Sequence, residues 1–345
     1  MEEPHFQPAR HTERLFRDQN REYSFDREDD RDFDTWQSAF RAELREALGL
    51  AQRMESEPPG LDSQRLDTEQ LYGYERQKWV VRTEPGIRVP FYLLLPTDLS
   101  PPYPVVFAVH GHGHTGKELY AGRFETEDQR EKIEAGERDI GVQAVQRGYA
   151  AIVPDMRGFG ELSAVEDYRN ESGSCRTMQM HAQLFGRTLV GDRAWDVHRL
   201  IDFVEDHADL DDERIVITGN SGGGTVSLFA AAVDERIQVS VPASAFCSFE
   251  DSIGSLYHCE CNYVPGILSL GELWDVAGLV APRPFLAIHG QEDPIFPIEA
   301  TRRAFERLQE IYDAAEVSGN CDLYVGNRGH RYYKDGAWPF IDEHL

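Results

Sequence analysis

RIVITGNSGGGTVSLFAAAV, residues 214–233, sets a β-branched apolar run against an apolar run of helix formers, with Gly219-Asn220-Ser221-Gly222-Gly223-Gly224 between them. The junction satisfies G-x-S-x-G. A nucleophilic serine on a sharp strand-to-helix turn needs small neighbours, because its backbone is strained and a helix must pass close behind it. The other reading of the same residues is a glycine-rich helix start that binds an anion through its NH groups. What lies on either side decides between them.

Upstream, YGYERQKWVVRT and GIRVPFYLLLP read as two strands joined at Glu84-Pro85-Gly86. PVVFAVH, YAAIVPD, RIVITGN, RIQVSVPAS, PFLAIHG and CDLYVGN follow as short, mostly apolar runs. Amphipathic stretches at about 139–147, 188–207, 222–233 and 298–312 separate several of them. Short buried strands alternating with helices predict an α/β fold with a mostly parallel central sheet and helices on both faces. In such a sheet the working residues gather at the carboxyl ends of the strands.

Three further strand ends carry chemistry. A serine hydroxyl needs a base, and the base needs a carboxylate to fix its tautomer. PFLAIHG runs into Gln291-Glu292-Asp293-Pro294, and CDLYVGN runs into Arg328-Gly329-His330. Ser221, Asp293 and His330 thus occur in the chain order of a strand-to-helix serine hydrolase, with Glu292 the alternative carboxylate. The third end, VHGHGHTGKE at 109–118, matches the first seven places of a phosphate loop at Gly111, Gly116 and Lys117 but has Glu118 where Ser or Thr must hold magnesium. It fits better as an oxyanion loop, with the NH of His112 joining that of Gly222. Lys117 then opens an acidic segment expected to be mobile. His110, His112 and His114 as metal ligands are the third reading, weakened because metallo-hydrolases usually show H-x-H-x-D-H and the last two places here are His114 and Thr115.

The 345 residues include 61 acidic and 35 basic ones, for a formal charge of −26, which repels nucleic acid and anionic membranes. Lysine occurs only at 78, 117, 132 and 334, as in a salt-adapted or arginine-biased source. The sequence shows neither a secretory leader nor an apolar window of about 18 residues, so a cytoplasmic location is expected. The five cysteines form no disulfide framework, and His258-Cys259-Glu260-Cys261 lacks a second pair to complete four zinc ligands, so no metal is expected. Residues 18–33 are charged enough for a loose arm. Trp36, Phe40, Leu44 and Leu48 then form one helical stripe. Residues 1–70 are thus read as an N-terminal arm and helical extension, and 71–345 as the catalytic domain.

HGHG at 110–113, DMRGFGE at 155–161, GRTLVGDRAWDV at 186–197, GNSGGG at 219–224, HGQEDPIFP at 289–297 and GNRGH at 326–330 together resemble the α/β-hydrolases, in their acetyl-xylan-esterase-like and dienelactone-hydrolase-like branch. The resemblance covers roughly residues 72–345. It implies an α/β-hydrolase fold and an esterase with Ser221, Asp293 and His330 as triad and no cofactor. Two positions depart from the acetyl xylan esterase pattern: Gly222 stands where Gln is common, and Arg157-Gly158-Phe159 where the family has RGQ. Arg157 is read as structural, pinning its loop by bidentate bonds to a carboxylate. Residues 157–185 and 248–268 are expected to wall the acyl pocket, with His110, Asn262 and Tyr263 as substrate-contact candidates.

The expected function is a serine carboxylesterase acting on small esters, acetylated carbohydrates among them. A lactone or dienelactone hydrolase is the nearest alternative, although those often use Cys at the position of Ser221. A prolyl-oligopeptidase-type peptidase would carry a large upstream domain, and roughly seventy residues are too few for one. A non-catalytic binding module on this scaffold predicts a broken triad. The expected partner is a small ester, and the N-terminal extension is read either as a contact with further copies of the chain or as padding for its own domain.

Overall fold

A computed structural model gives the structure of residues 8–27, 32–164 and 174–345. Residues 1–7 and 28–31 of the expected arm, and 165–173 of the expected pocket wall, lie outside the described residues. The strands are β1 (Gln64–Leu71), β2 (Tyr74–Glu84), β3 (Ile87–Pro96), β4 (Tyr103–Val109), β5 (Ala150–Pro154), β6 (Leu210–Asn220), β7 (Val239–Ala243), β8 (Phe285–Gly290) and β9 (Cys321–Gly326), all but β1 formed by runs read from the sequence. They make one sheet in the order β1-β2-β3-β5-β4-β6-β7-β8-β9. The pairs from β1 through β3 to β5 are antiparallel, and those from β5 through β4 to β9 are parallel.

The helices are α1 (Pro8–Asp18), α2 (Phe33–Ala47), α3 (Ala51–Glu55), α4 (Glu127–Gly136), α5 (Ile140–Val145), α6 (Cys175–Leu184), α7 (Leu189–Asp206), α8 (Gly222–Val233), α9 (Ile267–Leu270), α10 (Leu273–Gly278), α11 (Ile298–Ala314) and α12 (Lys334–His344). Alternate residues of each central strand face opposite layers. Val105, Phe107, Ile215 and Ile217 join a core shared with α2, α7, α8, α10 and α11. Val106, Ala108 and Val216 join the other core, shared with α5 and α12. Burial on both faces is why these strands read as unbroken apolar runs.

The stripe on α2 is fully used: Trp36, Phe40, Leu44 and Leu48 are buried against the main body. Its polar edge works as well. Arg41 donates to Ala232 O at 3.0 Å, and Arg45 donates to Val233 O, so two guanidinium groups cap the carbonyl end of α8 and oppose its negative pole. The sheet begins earlier than the sequence boundary at residue 71. β1, QRLDTEQL, is an edge strand exposed on both faces, and without apolar alternation it gave no strand signal. No helix among the described residues is long and apolar enough to cross a membrane.

Candidate active site

β6 delivers Ser221 to the top of the sheet, and α8 starts on the next residue. Ser221 has φ 58° and ψ −121°, a conformation that costs a non-glycine residue about 1–3 kcal/mol. Surrounding packing holds it there. Ser221 N donates to Ala243 O at 2.8 Å, and a Cβ on Gly219 or Gly223 would lie 2.3 or 2.0 Å from Val109 O. The glycines therefore let strand, turn and helix pass within backbone contact of β4.

The loops after β8 and β9 meet beside this turn. His330 Nδ1 is 2.8 Å from Asp293 Oδ2, and the Asp293 side chain is wholly buried. Asp293 Oδ1 accepts from the NH groups of Ile295 at 3.0 Å and Phe296 at 3.1 Å. Burial alone would raise this carboxyl, but His330 and the two NH donors hold it below the ordinary aspartate value. Phe296 stacks on the His330 ring with 6.0 Å between centroids. The alternative carboxylate, Glu292, is exposed. His330 and Ser221 line one cleft of about 70 Å³, together with Gly111, His112, Asn220 and Arg138.

His112 and Gly222 lie against each other at the edge of this cleft. A Cβ on residue 222 would meet His112 Nδ1 at 2.7 Å, which accounts for glycine where the related pattern has Gln. Among the described residues, neither the His112 NH nor the Gly222 NH has a hydrogen-bond acceptor. Phe159, the other departure, packs edge-on against both His110 and His112 at 5.3 Å.

His110 does not line the cleft. It is 1% exposed; its Nε2 accepts from Met156 N at 3.0 Å, so its Nδ1–H donates to Gly111 O at 2.8 Å. Burial lowers it to about 4, and it serves as a neutral brace for the loop. Asn262 and Tyr263 instead line an apolar cleft of about 310 Å³ with Phe16, Phe249, Ile253 and Ile267. Tyr263 OH donates to Ile253 O at 2.8 Å.

Lys117 is a correction to the expected mobile segment. It is 1% exposed, its Nζ is 2.8 Å from Asp155 Oδ2 and also bonds Glu161, and its NH donates to Asp155 Oδ1 at 2.9 Å. This buried pairing anchors the loop after β4 to the loop after β5, and it leaves the lysine no phosphate to meet. Arg138, which sequence reading passed over, lines the Ser221 cleft; no carboxylate pairs with it among the described residues, whereas the neighbouring Glu137 pairs with Arg331 and Lys334.

Arg157 lies beneath the site and makes two bonds of 2.7 Å to Asp196 on α7, plus one to Glu84 at the end of β2. Burial alone would raise the Glu84 carboxyl, but Arg187 and Arg157 hold it at about 2. Replacing Arg157 by Met leaves Asp196 buried without its counter-charge and should destabilise the fold by about 3–5 kcal/mol in urea titrations at pH 7. A carboxyl depressed in the fold contributes above its unfolded value and loses that contribution as pH falls through its folded one. The advantage of wild type over Arg157→Met should therefore shrink between the ordinary glutamate value of 4.5 and about 2. An advantage unchanged at pH 3 would refute the coupling.

The Cys259/Cys261 corner also differs from its sequence reading. His112 and Cys175 join it in space, and the ligand atoms of all four residues lie within 4.8 Å of one another. His258 is not part of this group; its Nε2 is 3.0 Å from Ser252 Oγ and 3.1 Å from Ile295 O.

Comparison with known proteins agrees with this architecture. YtaP of Bacillus subtilis (strain 168), provisionally named a hydrolase, is 26% identical over 272 residues, covering 75% of this chain and 85% of its own. A provisionally named acetyl xylan esterase from Bacteroides fragilis superposes with a TM-score of 0.76 at 19% identity, over 97% of this chain and 84% of its own. A glucuronoyl esterase from Solibacter usitatus gives 0.67 at 15% identity, over 90% of this chain and 93% of its own. An acetyl xylan esterase from a Paenibacillus species gives 0.60 at 18%, over 96% and 99%. At these identities the likeness shows the fold, which is the α/β-hydrolase fold that the sequence motifs imply. The Abhydrolase family model matches residues 10–316, from α1 to beyond α11, and the chain belongs to that family.

Proposed function

We propose that this protein is a serine carboxylesterase for small, short-acyl esters, with Ser221, His330 and Asp293 as its triad. The observation that carries the reading is His330, bonded on one side to a buried Asp293 and facing on the other the cleft that holds Ser221 in its strained turn. With Nδ1–H donated to Asp293, the His330 Nε2 lone pair is free to take the serine proton. Ser221 Oγ then attacks the ester carbonyl, and the NH groups of His112 and Gly222 receive the oxyanion. His330 gives the proton to the departing alcohol and takes another from the water that attacks the acyl-enzyme; returning that proton to Ser221 Oγ releases the acyl group as its acid.

The Ser221 cleft is small, about 70 Å³, against about 310 Å³ for the apolar cleft beside Tyr263, which supports a short acyl group. Arg138 supplies free donors at its rim, suited to the hydroxyl and ring oxygens of a sugar. The names of the structural relatives point toward carbohydrate esters.

The test is hydrolysis of p-nitrophenyl acetate, butyrate and octanoate, followed by acetylated xylo-oligosaccharides. Acetate should be cleaved with kcat/KM at least about tenfold above octanoate, since each methylene a pocket rejects is worth about 1–3 kcal/mol. Preference for octanoate would contradict the short-acyl reading. No turnover of any activated ester would return the chain to the class of non-catalytic scaffolds.

A further inference from the structure

Four soft or borderline ligands converge behind the oxyanion loop from three separate segments. His112 comes from the loop after β4, Cys175 opens α6, and Cys259 and Cys261 flank Glu260 in the 248–268 segment. Their ligand atoms all lie within 4.8 Å of one another, and His112 Nε2 is 3.2 Å from Cys261 Sγ. A tetrahedral ion with bonds of about 2.3 Å to sulfur and 2.0–2.1 Å to nitrogen sets its ligand atoms about 3.4–3.8 Å apart. Small side-chain rotations bring this set to that spacing. We propose that His112, Cys175, Cys259 and Cys261 form a closed Cys3His site for Zn²⁺.

Charge accounting supports a divalent ion. Three thiolates and a neutral imidazole bring −3, and Zn²⁺ leaves −1. The balancing charge is already in place: Arg193 is 2% exposed, and its Nη2 is 3.1 Å from Cys175 Sγ. Its guanidinium is fixed by two bonds to Arg157 O and by the face of Phe159 at 4.8 Å. A buried, oriented guanidinium that donates to one of the sulfurs offsets the remaining negative charge and orients that ligand. Cys175 and Cys261 are buried at 2% and 1%, so water does not compete for them. Binding releases one proton from each of the three thiols and changes no oxidation state.

All four zinc positions would be filled by protein, so the ion serves a structural purpose and activates no water. It would tie the loop bearing His112 to the two segments expected to wall the pocket. It would also hold the His112 ring against Gly222. His112 is then a positioning residue through its side chain as well as an oxyanion donor through its NH; that consequence rests on the esterase reading, whereas the metal site does not.

The test uses the full chain, produced in zinc-supplemented medium and purified without chelator or metal resin. Elemental analysis should find about one zinc per chain in both wild type and Ser221→Ala, whether or not either hydrolyses an ester. Cys175→Ser and Cys261→Ser should fall below about a tenth of that, while Cys321→Ser keeps it. If the site variants fail to fold, wild type exchanged into Co²⁺ still decides, since it should show thiolate-to-cobalt charge transfer and the visible bands of a tetrahedral ion. A wild-type chain that takes up neither zinc nor cobalt would overturn the proposal. So would an intact mass two hydrogens low with the bridge mapped between two of these cysteines, because an oxidised pair cannot ligate.

Discussion

Replacing Ser221 by alanine is expected to lower kcat toward p-nitrophenyl acetate by at least about 10⁴-fold while KM changes little. The nucleophile disappears, but the oxyanion donors, the cleft and the His330–Asp293 pair all remain, so substrate still binds and only the covalent route closes. The backbone should not notice. Alanine meets the same constraint at φ 58° as serine, and the turn is held by Ser221 N on Ala243 O and by glycines packed on Val109, none of which involves the hydroxyl. Stability should therefore stay within about 0.5 kcal/mol of wild type. A mutant that keeps more than about a hundredth of the activity would place the nucleophile elsewhere. If the proposed zinc is structural, a chelator should lower wild-type activity and the mutant's small residual rate by the same factor, because both rest on the oxyanion loop. A Ser221→Ala variant that keeps more than about a hundredth of the wild-type rate and loses it to the chelator would make the ion catalytic.

The sequence reveals elements that make their case locally. Ser221, Asp293 and His330 each follow a short, mostly apolar run within a few positions, and each run becomes a strand of the parallel half of the sheet. The helices at 188–207 and 298–312 were equally legible, because one apolar face repeats through each, whereas 222–233, read as amphipathic, is buried on every side. What escaped depends on partners distant in sequence. Lys117 looks solvated among acidic neighbours, yet its counter-ion Asp155 is 38 residues on, at the end of the adjacent strand β5. Cys261 and His112 lie 149 residues apart, and no spacing rule joins a C-x-C to a histidine and a cysteine arriving from two other loops. α12 was hidden by the Gly336 and Pro339 it contains. His110 misled for the opposite reason: it shares its motif with His112, but just past the end of β4 at Val109 it is buried, with both ring nitrogens already committed.

Asp293→Asn should cost about 10⁴-fold in kcat near neutral pH, and the reason is in the wiring of the carboxyl group. Asp293 Oδ1 accepts from two backbone NH groups, so in the asparagine variant the amide oxygen must occupy that position. The amide nitrogen then faces His330 Nδ1, where Oδ2 now sits at 2.8 Å. An NH2 group there donates to Nδ1 and forces the imidazole proton onto Nε2, toward Ser221, leaving no lone pair to accept the hydroxyl proton. The variant keeps its geometry but presents the wrong tautomer. Glu292→Gln is the matched control: the side chain is exposed, and losing its charge should change kcat by less than about threefold. The two variants assayed side by side assign the carboxylate. Should Glu292→Gln collapse while Asp293→Asn stays active, the loop after β8 must rearrange in solution to bring the glutamate onto His330.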